Sequence, residues 1–536
     1  MTICKMHSPL HYAITLSCTH EIMSEKSKRR GRKERLNQEN APEVNPPVWP
    51  GVLGARLKPL SPPEVALVEE AVFSLLETLG LSQAIPSMID AVTEAGGQMT
   101  DDGRLLFPRD LVAKAIKEAK RGFTLCGQSP DCDLLIKGAR VHMSTGGAAP
   151  GVFDLETGVY RVSTLADLYD AARIVDQMDN IHHFSRSVVA RDIEDNAVMD
   201  LNTAYACLMG TSKHVSISVT EPGNVPAIAD LCYRIAGGEA AFRARPFLTV
   251  MVCHVVPPMR FAEEACEVLE AAIKAGFPVQ LISAGQAGAT SPATIAGSLV
   301  QAVAETLAGL VFARLVNPDV KAIFAPKPLV ADLRTGSMCG GGGEQAILMA
   351  AAAQMGRHFD LPTSSIAGIT DAKCLDAQYG AEKSLAVSMA AHAGSNIVTQ
   401  AAGMQASLLG VSHAAYVSDN DLLGNILRSI RGVEATPENI AADVIATVCR
   451  GAGHYLGETH TFDRMKSDYY YPDIGDRQTP REWEEAGSKP VGDVARDKAR
   501  DILSTHFPTH IPDAVDLALR ATFDIRLSRA EIGRVA

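Results

Sequence analysis

The chain has 536 residues, a formal charge of −12 and 46% hydrophobic residues, enough apolar matter for a large core. Its net acidity argues against nucleic acid as a partner. Eleven cysteines scattered without regular spacing read as reduced thiols of a cytoplasmic protein rather than as a disulfide framework.

Residues 1–22 hold one short apolar patch, "LHYAITLSC". It lacks the charged flank and small-residue cleavage site of a signal peptide. Met23 stands as a candidate true start. The basic run after it, "SEKSKRRGRKERLNQEN", reads as a disordered arm, giving an arm over 1–55. No stretch of about 20 residues is free of polar interruption, so no membrane span is expected.

A Pro-rich lead-in opens on "SPPEVALVEEAVFSLLETLG", which predicts a helix with Ser61 as N-cap and prolines in its first turn. A second helix, a hairpin at Asp102-Gly103 and a third helix follow, so 56–135 reads as a helical N-terminal module. From 136 to 432 short apolar runs alternate with helical periods. Strands are predicted at 139–146, 181–190, 213–220, 246–255, 277–285, 320–327, 361–369 and 395–403, each apolar enough to be covered on both faces. Eight such units predict an α/β protein of the (β/α)8 TIM-barrel class, with an open doubly wound sheet as the rival. Residues 433–536 read as a helical C-terminal extension packed on the barrel. Within it "TPENIAADVIATVCRGAGHYLG" predicts one helix capped by Thr436.

Barrel active sites lie at the C-terminal ends of the strands. The polar residues expected there include Ser144, Ser185, Arg186, His254, Ser283, Lys327, Asp371 and Gln400. Arg334, Gly340, Gly341, Gly342, Gly343, Glu344 and Gln345 fall in the loop after strand six, and Gln378 and Tyr379 follow strand seven. The glycine run before a helix suits close approach to the backbone or a moving loop, against the plainer reading of a tight turn. It lacks the Gly-Lys-Ser/Thr of a phosphate loop. Glu344 at that helix start suits dipole pairing as well as ligand contact. Lys327 is placed for imine chemistry or as an anion-binding rim lysine. His454, Glu458 and His460 do not form a firm zinc motif, so no metal site is predicted. Neighbouring strand residues point to opposite faces, so of Cys253 and His254 one faces the mouth and one is buried.

Four segments carry a resemblance: "MSTGGAAPGVFDLETGVYRVSTLADLYDAARIVDQMDNI", "VQLISAGQAGATSPATIAGSLVQAVAETLAGLVFARLVNP", "LRTGSMCGGGGEQ" and "GHYLGETHTFDRMKSDYYYPDIGDRQTPREWEEAG". From about Arg56 to Ile532 the chain resembles the trimethylamine methyltransferase family of corrinoid-dependent methyltransferases. The resemblance implies a (β/α)8 barrel that moves a methyl group from an amine to the cobalt of a separate corrinoid protein. Archaeal trimethylamine enzymes of the family carry pyrrolysine after strand six. This chain does not, and Glu344 or Gln345 stands near that place. Members without it look like quaternary-amine demethylases acting on glycine betaine or related betaines.

Under that resemblance Glu344, Gln345 and His254 are the catalytic candidates. Arg186, Lys327 and Arg334 are the candidates for a betaine carboxylate. Phe324, Tyr379 and the Tyr469–Tyr471 run supply aromatic faces for the cation, with Gln378 beside them. Gly340 to Gly343 and His454 are the surface that the corrinoid approaches. The expected partners are a corrinoid protein, a small quaternary amine and further copies of the chain, and the only cofactor is the corrinoid that the partner brings. A trimethylamine enzyme without pyrrolysine, a Schiff-base lyase using Lys327 and a non-catalytic betaine-binding protein are the alternatives.

Overall fold

The computed structural model describes residues 52–534. The expected arm, its basic run and the candidate start at Met23 lie outside the described residues. The described chain is a mixed α/β fold, and each of the eight predicted strand windows contains a parallel strand. They are labelled here β1 (Arg140–Met143), β2 (His183–Ser185), β3 (His214–Ile217), β4 (Leu248–Val252), β5 (Val279–Ser283), β6 (Ala322–Pro326), β7 (Ser364–Ile366) and β8 (Ile397–Thr399).

β2 to β6 pair in chain order as one parallel sheet. In a second sheet β8 lies between β7 and β1, and Val52–Leu53 adds an antiparallel edge to β1. Parallel bridges join the edges of the two sheets, Ser144 to His183 on one side and Phe324 to Thr363 on the other. Backbone bonds accompany them: His182 N–H donates to Met143 O at 2.9 Å and Phe324 N–H to Pro362 O at 2.8 Å.

A helix follows each strand: α1 (Leu165–Asp176), α2 (Asn196–Gly210), α3 (Val225–Ala236), α4 (Glu263–Lys274), α5 (Ile295–Val316), α6 (Gly343–His358), α7 (Ala377–His392) and α8 (His413–Arg431). α1 precedes β2 and α8 follows β8, so helices and strands alternate throughout. α5 has the length and apolarity to cross a membrane, but 78% of its most apolar window is buried inside the protein. Gln301 and Glu305 interrupt its apolar run. α5 is apolar all round because the sheet covers one side and helices Pro62–Thr78, Pro86–Glu94 and Arg109–Glu118 cover the other, which leaves no polar face to solvent.

Residues 56–135 hold strands as well as helices. A three-stranded sheet is built on Leu81–Ser82, Gln98–Met99 and Arg104–Leu106, with Gly103 at φ +78° in its turn. Gly122–Leu125 and Leu134–Lys137 form a hairpin. Its Phe123, Leu125, Leu134 and Ile136 pack on Ile323 and Ile397, covering the N-terminal ends of β6 and β8. Ser61 caps the first helix through a capping box with Glu64, as its sequence implies.

The single helix expected from Thr436 is instead two, Pro437–Ile440 and Ala442–Arg450. Ala441 sits in the left-handed region at φ 52° and breaks the hydrogen-bond ladder. Thr436 does cap the first piece, accepting Asn439 N–H at 3.1 Å. Farther on, helix Val491–Thr505 packs on α8. Asp513–Thr522 is fixed through Asp516, which is buried and accepts Tyr205 Oη at 2.5 Å and Arg520 Nε at 3.0 Å.

Candidate functional site

The sides of the eight strands that face away from the helices carry an unusual share of polar residues. Ser144, just past β1, bonds His183 Nδ1 at 2.6 Å, and His183 Nε2 bonds Ser216 Oγ at 2.8 Å. His214 Nδ1 donates to the carbonyl of Cys126 at 2.7 Å, which leaves Nε2 to accept from Thr249 Oγ1 at 2.8 Å. Burial holds both rings neutral: it drives His183 well below its usual pKa and His214 down to about 4. These groups bond one another with good geometry and form a fixed polar lining.

Towards the C-terminal strand ends the lining becomes cationic. Lys327 follows β6 directly and is 3% exposed. Its Nζ donates to Gln280 Oε1 at 2.7 Å and to Thr399 Oγ1 at 3.0 Å. Both acceptors are neutral, so desolvation dominates and brings the Lys327 pKa down to about 7. Arg186 follows β2, is 8% exposed, and has its Nε buried without a partner. Burial lowers its pKa as well, opposed first by the charge of Asp200. Asp200 is already engaged: Thr220 N–H at 2.8 Å, Thr220 Oγ1 at 2.6 Å and Asn224 Nδ2 at 2.8 Å all donate to it.

Close enough to both cations to feel their charge is Cys253, just past β4. It is solvent-accessible although protein surrounds it. Burial raises its thiol pKa while Lys327 and Arg186 pull it down. Among the described residues neither Lys327 nor Arg186 forms an ion pair within 4 Å. Two desolvated positive charges beside an accessible space are a place where an anion gains strongly.

The glycine loop is explained in part by packing. Gly340 N–H donates to Asp371 Oδ1 at 2.9 Å and Gly341 N–H to Oδ2 at 3.3 Å, while Ser407 Oγ donates to Oδ1 at 2.6 Å. Asp371 thus ties together the loops after β6, β7 and β8. A Cβ on Gly340 would collide with Ile369 and one on Gly341 with the Glu382 carboxylate, whereas nothing lies within 4 Å of such an atom on Gly343. None of the four glycines needs a positive φ. The first pair is glycine because the neighbouring loop packs against it, and open space borders Gly343.

Several other expected site residues lie elsewhere. His254 is fully buried with its ring against Gly309 of α5, and its Nε2 donates to Glu305 O at 3.0 Å. It faces the helix layer, and Cys253 is the partner that faces the accessible space. Phe324 also turns to the helices, meeting Phe359 edge-on at 6.3 Å. Tyr379 is buried between α7 and α8, where its hydroxyl donates to Asp419 Oδ2 at 2.7 Å. Lys383 Nζ reaches the same oxygen at 2.8 Å.

Gln378 is an exposed partner of Glu382 at 2.8 Å, and Arg334, 88% exposed, pairs with Asp332 at 2.8 Å. Glu344 is exposed at the start of α6. Gln345 is buried, donates to Pro328 O at 3.1 Å and leaves its Oε1 without a partner. His454 is an exposed residue of the C-terminal extension. Gln280 and Thr399 were not singled out as ligands of Lys327. Their one available signal was a polar residue at an alternate position of an otherwise apolar strand.

The sequence matches the trimethylamine methyltransferase family over residues 28–532. It is 28% identical over 471 residues to the trimethylamine methyltransferase MttB of Desulfitobacterium hafniense (strain DSM 10664 / DCB-2), spanning 88% of this chain and 94% of that one. It is 27% identical over 463 residues to the glycine betaine methyltransferase of Desulfitobacterium hafniense (strain Y51), spanning 86% and 95%. Among solved structures, the Methanosarcina barkeri monomethylamine methyltransferase aligns at 12% identity and a TM-score of 0.45, over 82% of this chain and 92% of that one. A match that runs almost the full length places this chain in the trimethylamine methyltransferase family, as an enzyme of the methyltransferase class.

Proposed function

We propose that the protein removes a methyl group from a quaternary amine that carries a carboxylate, glycine betaine or a related betaine, and passes it to the cobalt of a corrinoid held by a separate protein. The observation that carries this reading is the pair of buried cations near Cys253, Lys327 and Arg186, neither of which forms an ion pair within 4 Å among the described residues. A betaine carboxylate supplies a counter-charge to that pair. Trimethylamine is itself a cation at neutral pH, has no anionic group and is repelled there. The named glycine betaine methyltransferase among the relatives supports the same choice.

The corrinoid, when its protein docks, supplies a strongly nucleophilic metal centre as methyl acceptor. The C–N bonding pair leaves with nitrogen as a neutral tertiary amine, so no proton has to move. The work left to this chain is to bind, orient and desolvate the substrate. Lys327 and Arg186 hold the carboxylate end and direct the methylammonium end towards the strand-end loops. Gly343 fits the approach of a bulky acceptor: it is exposed, and open space surrounds the place of its missing Cβ.

This reading takes the two parallel sheets as one closed (β/α)8 barrel over 136–432, flanked by the module at 56–135 and the extension at 433–536. The two edge bridges, Ser144 to His183 and Phe324 to Thr363, support closure. A reduced cobalt acceptor and the free cysteines among the described residues suit a cytoplasmic setting.

The test offers glycine betaine, proline betaine, carnitine, choline and trimethylamine to the enzyme with reduced cobalamin, and then with a cognate corrinoid protein. Methyl loss from a betaine, and much slower loss from choline, is the expected result. Turnover of trimethylamine with no betaine demethylated sinks the proposal. The depressed Lys327 also underlies a Schiff-base reading, which borohydride trapping of an adduct at Lys327 would favour.

A further inference from the structure

A cavity of about 470 Å³ lies at the far end of α8, roughly 20 Å along the helix from its first residue. Arg428 of α8 lines it together with Arg464, Arg477, His460, Tyr469 and Asp468 of the C-terminal extension. Three arginines and one aspartate line it, in a chain whose net charge is −12.

Their internal neutralisation is weak. Arg428 spends its donors on the backbone carbonyls of Asp468 and Gly432. Arg464 reaches Glu438 at 3.5 Å and Asp468 at 4.0 Å, and Glu438 is 85% exposed. Asp468 is shared with Arg431 at 3.4 Å. Arg477 forms no ion pair among the described residues, and the Nε2 of His460 is buried without a partner. The three arginines come from separate elements and enclose a volume within the range of small-molecule sites.

We propose that this cavity binds a small organic phosphate. Three arginines against Asp468 and the exposed Glu438 leave a net positive charge, which suits the doubly charged head of a phosphate monoester. Guanidinium groups arriving from three directions suit its three terminal oxygens better than the planar fork of one carboxylate. Tyr469, 65% exposed, offers a ring face to the organic body. The cavity is separate from the strand ends, so this assignment does not depend on the methyl donor.

Isothermal titration calorimetry of the full-length chain with ADP, inorganic pyrophosphate and citrate tests it. The expected result is binding of both phosphates, ADP tighter than pyrophosphate, and citrate at least tenfold weaker than either. Arg464→Ser and Arg477→Ser each weaken both phosphates at least tenfold, with unchanged thermal melting and unchanged methyl transfer in the absence of phosphate. Tyr469→Ala removes only the preference for ADP. No heat with either phosphate, citrate as tight as ADP, ADP no tighter than pyrophosphate, or full binding by the two arginine variants each overturns the assignment.

Discussion

Asp371 holds Gly340 through a backbone N–H at 2.9 Å, so the glycine-rich loop after β6 is anchored to the loop after β7. The anchor needs the close approach that only glycine permits at 340 and 341. Gly341→Ala drives a methyl group into the Glu382 carboxylate and Gly340→Ala drives one into Ile369. Each is expected to cost about 1–3 kcal/mol. Gly343→Ala meets open space in the first turn of α6 and is expected to be neutral or slightly stabilising. Urea denaturation of the three variants checks the contrast. Equal losses at 341 and 343 would remove the packing explanation.

Lys327→Met leaves the buried site one cation short. If Lys327 grips a carboxylate, kcat/KM for a betaine falls roughly 10- to 100-fold, the worth of an ionised hydrogen bond. Slow turnover of choline, which has no carboxylate, should be unchanged or faster. Parallel losses for both substrates would mean that Lys327 acts on the fold and not on the ligand.

The Lys327 pKa of about 7 gives this grip a pH signature. The free enzyme loses its Lys327 proton above that value, so kcat/KM for a betaine should fall above about pH 7, approaching tenfold per unit. Lys327→Met should flatten that limb. Stability moves the opposite way. An unfolded lysine titrates near 10.4, so between about pH 7 and 10 the unfolded chain holds more protons than the folded one and folding is favoured as pH rises. A wild-type minus Lys327→Met difference in stability that stays flat across this window would contradict the depressed pKa.

Tyr379 separates a cage residue from a core residue. Its hydroxyl meets Asp419 at 2.7 Å beside the buried Lys383–Asp419 pair at 2.8 Å. Tyr379→Phe should cost about 1 kcal/mol of stability and leave the KM for a betaine unchanged. Asp419→Asn, which strands Lys383, should cost about 3–5 kcal/mol. A raised KM in Tyr379→Phe with unchanged stability would return the ring to the substrate site.

The strands were legible because each is an apolar run between helical periods, and all eight windows hold one. Lys327 and Arg186 were legible as polar residues at strand ends. Facing was not. Phe324 lies between Ile323, which meets the hairpin under β6, and Ala325, so a one-residue parity turns its ring to Phe359 and the helices. His254 and Cys253 divide in the same way: His254, expected at the mouth, turns to the helices, and Cys253 faces the accessible space. Tyr379 was misread because Asp419, its partner, is 40 residues away.

By itself the sequence determined the alternation of strands and helices and the family to which the chain belongs. Periodicity and long stretches of residue identity are both properties of chain order. It also placed a lysine at the end of β6. Only the tertiary structure decided that this lysine has no carboxylate within 4 Å among the described residues, that Asp371 ties Gly340 and Gly341 down, and that three arginines from separate elements share one cavity. Each of those is a distance between residues remote in the chain. Charge, desolvation and packing act on such distances, and residue order alone does not fix them.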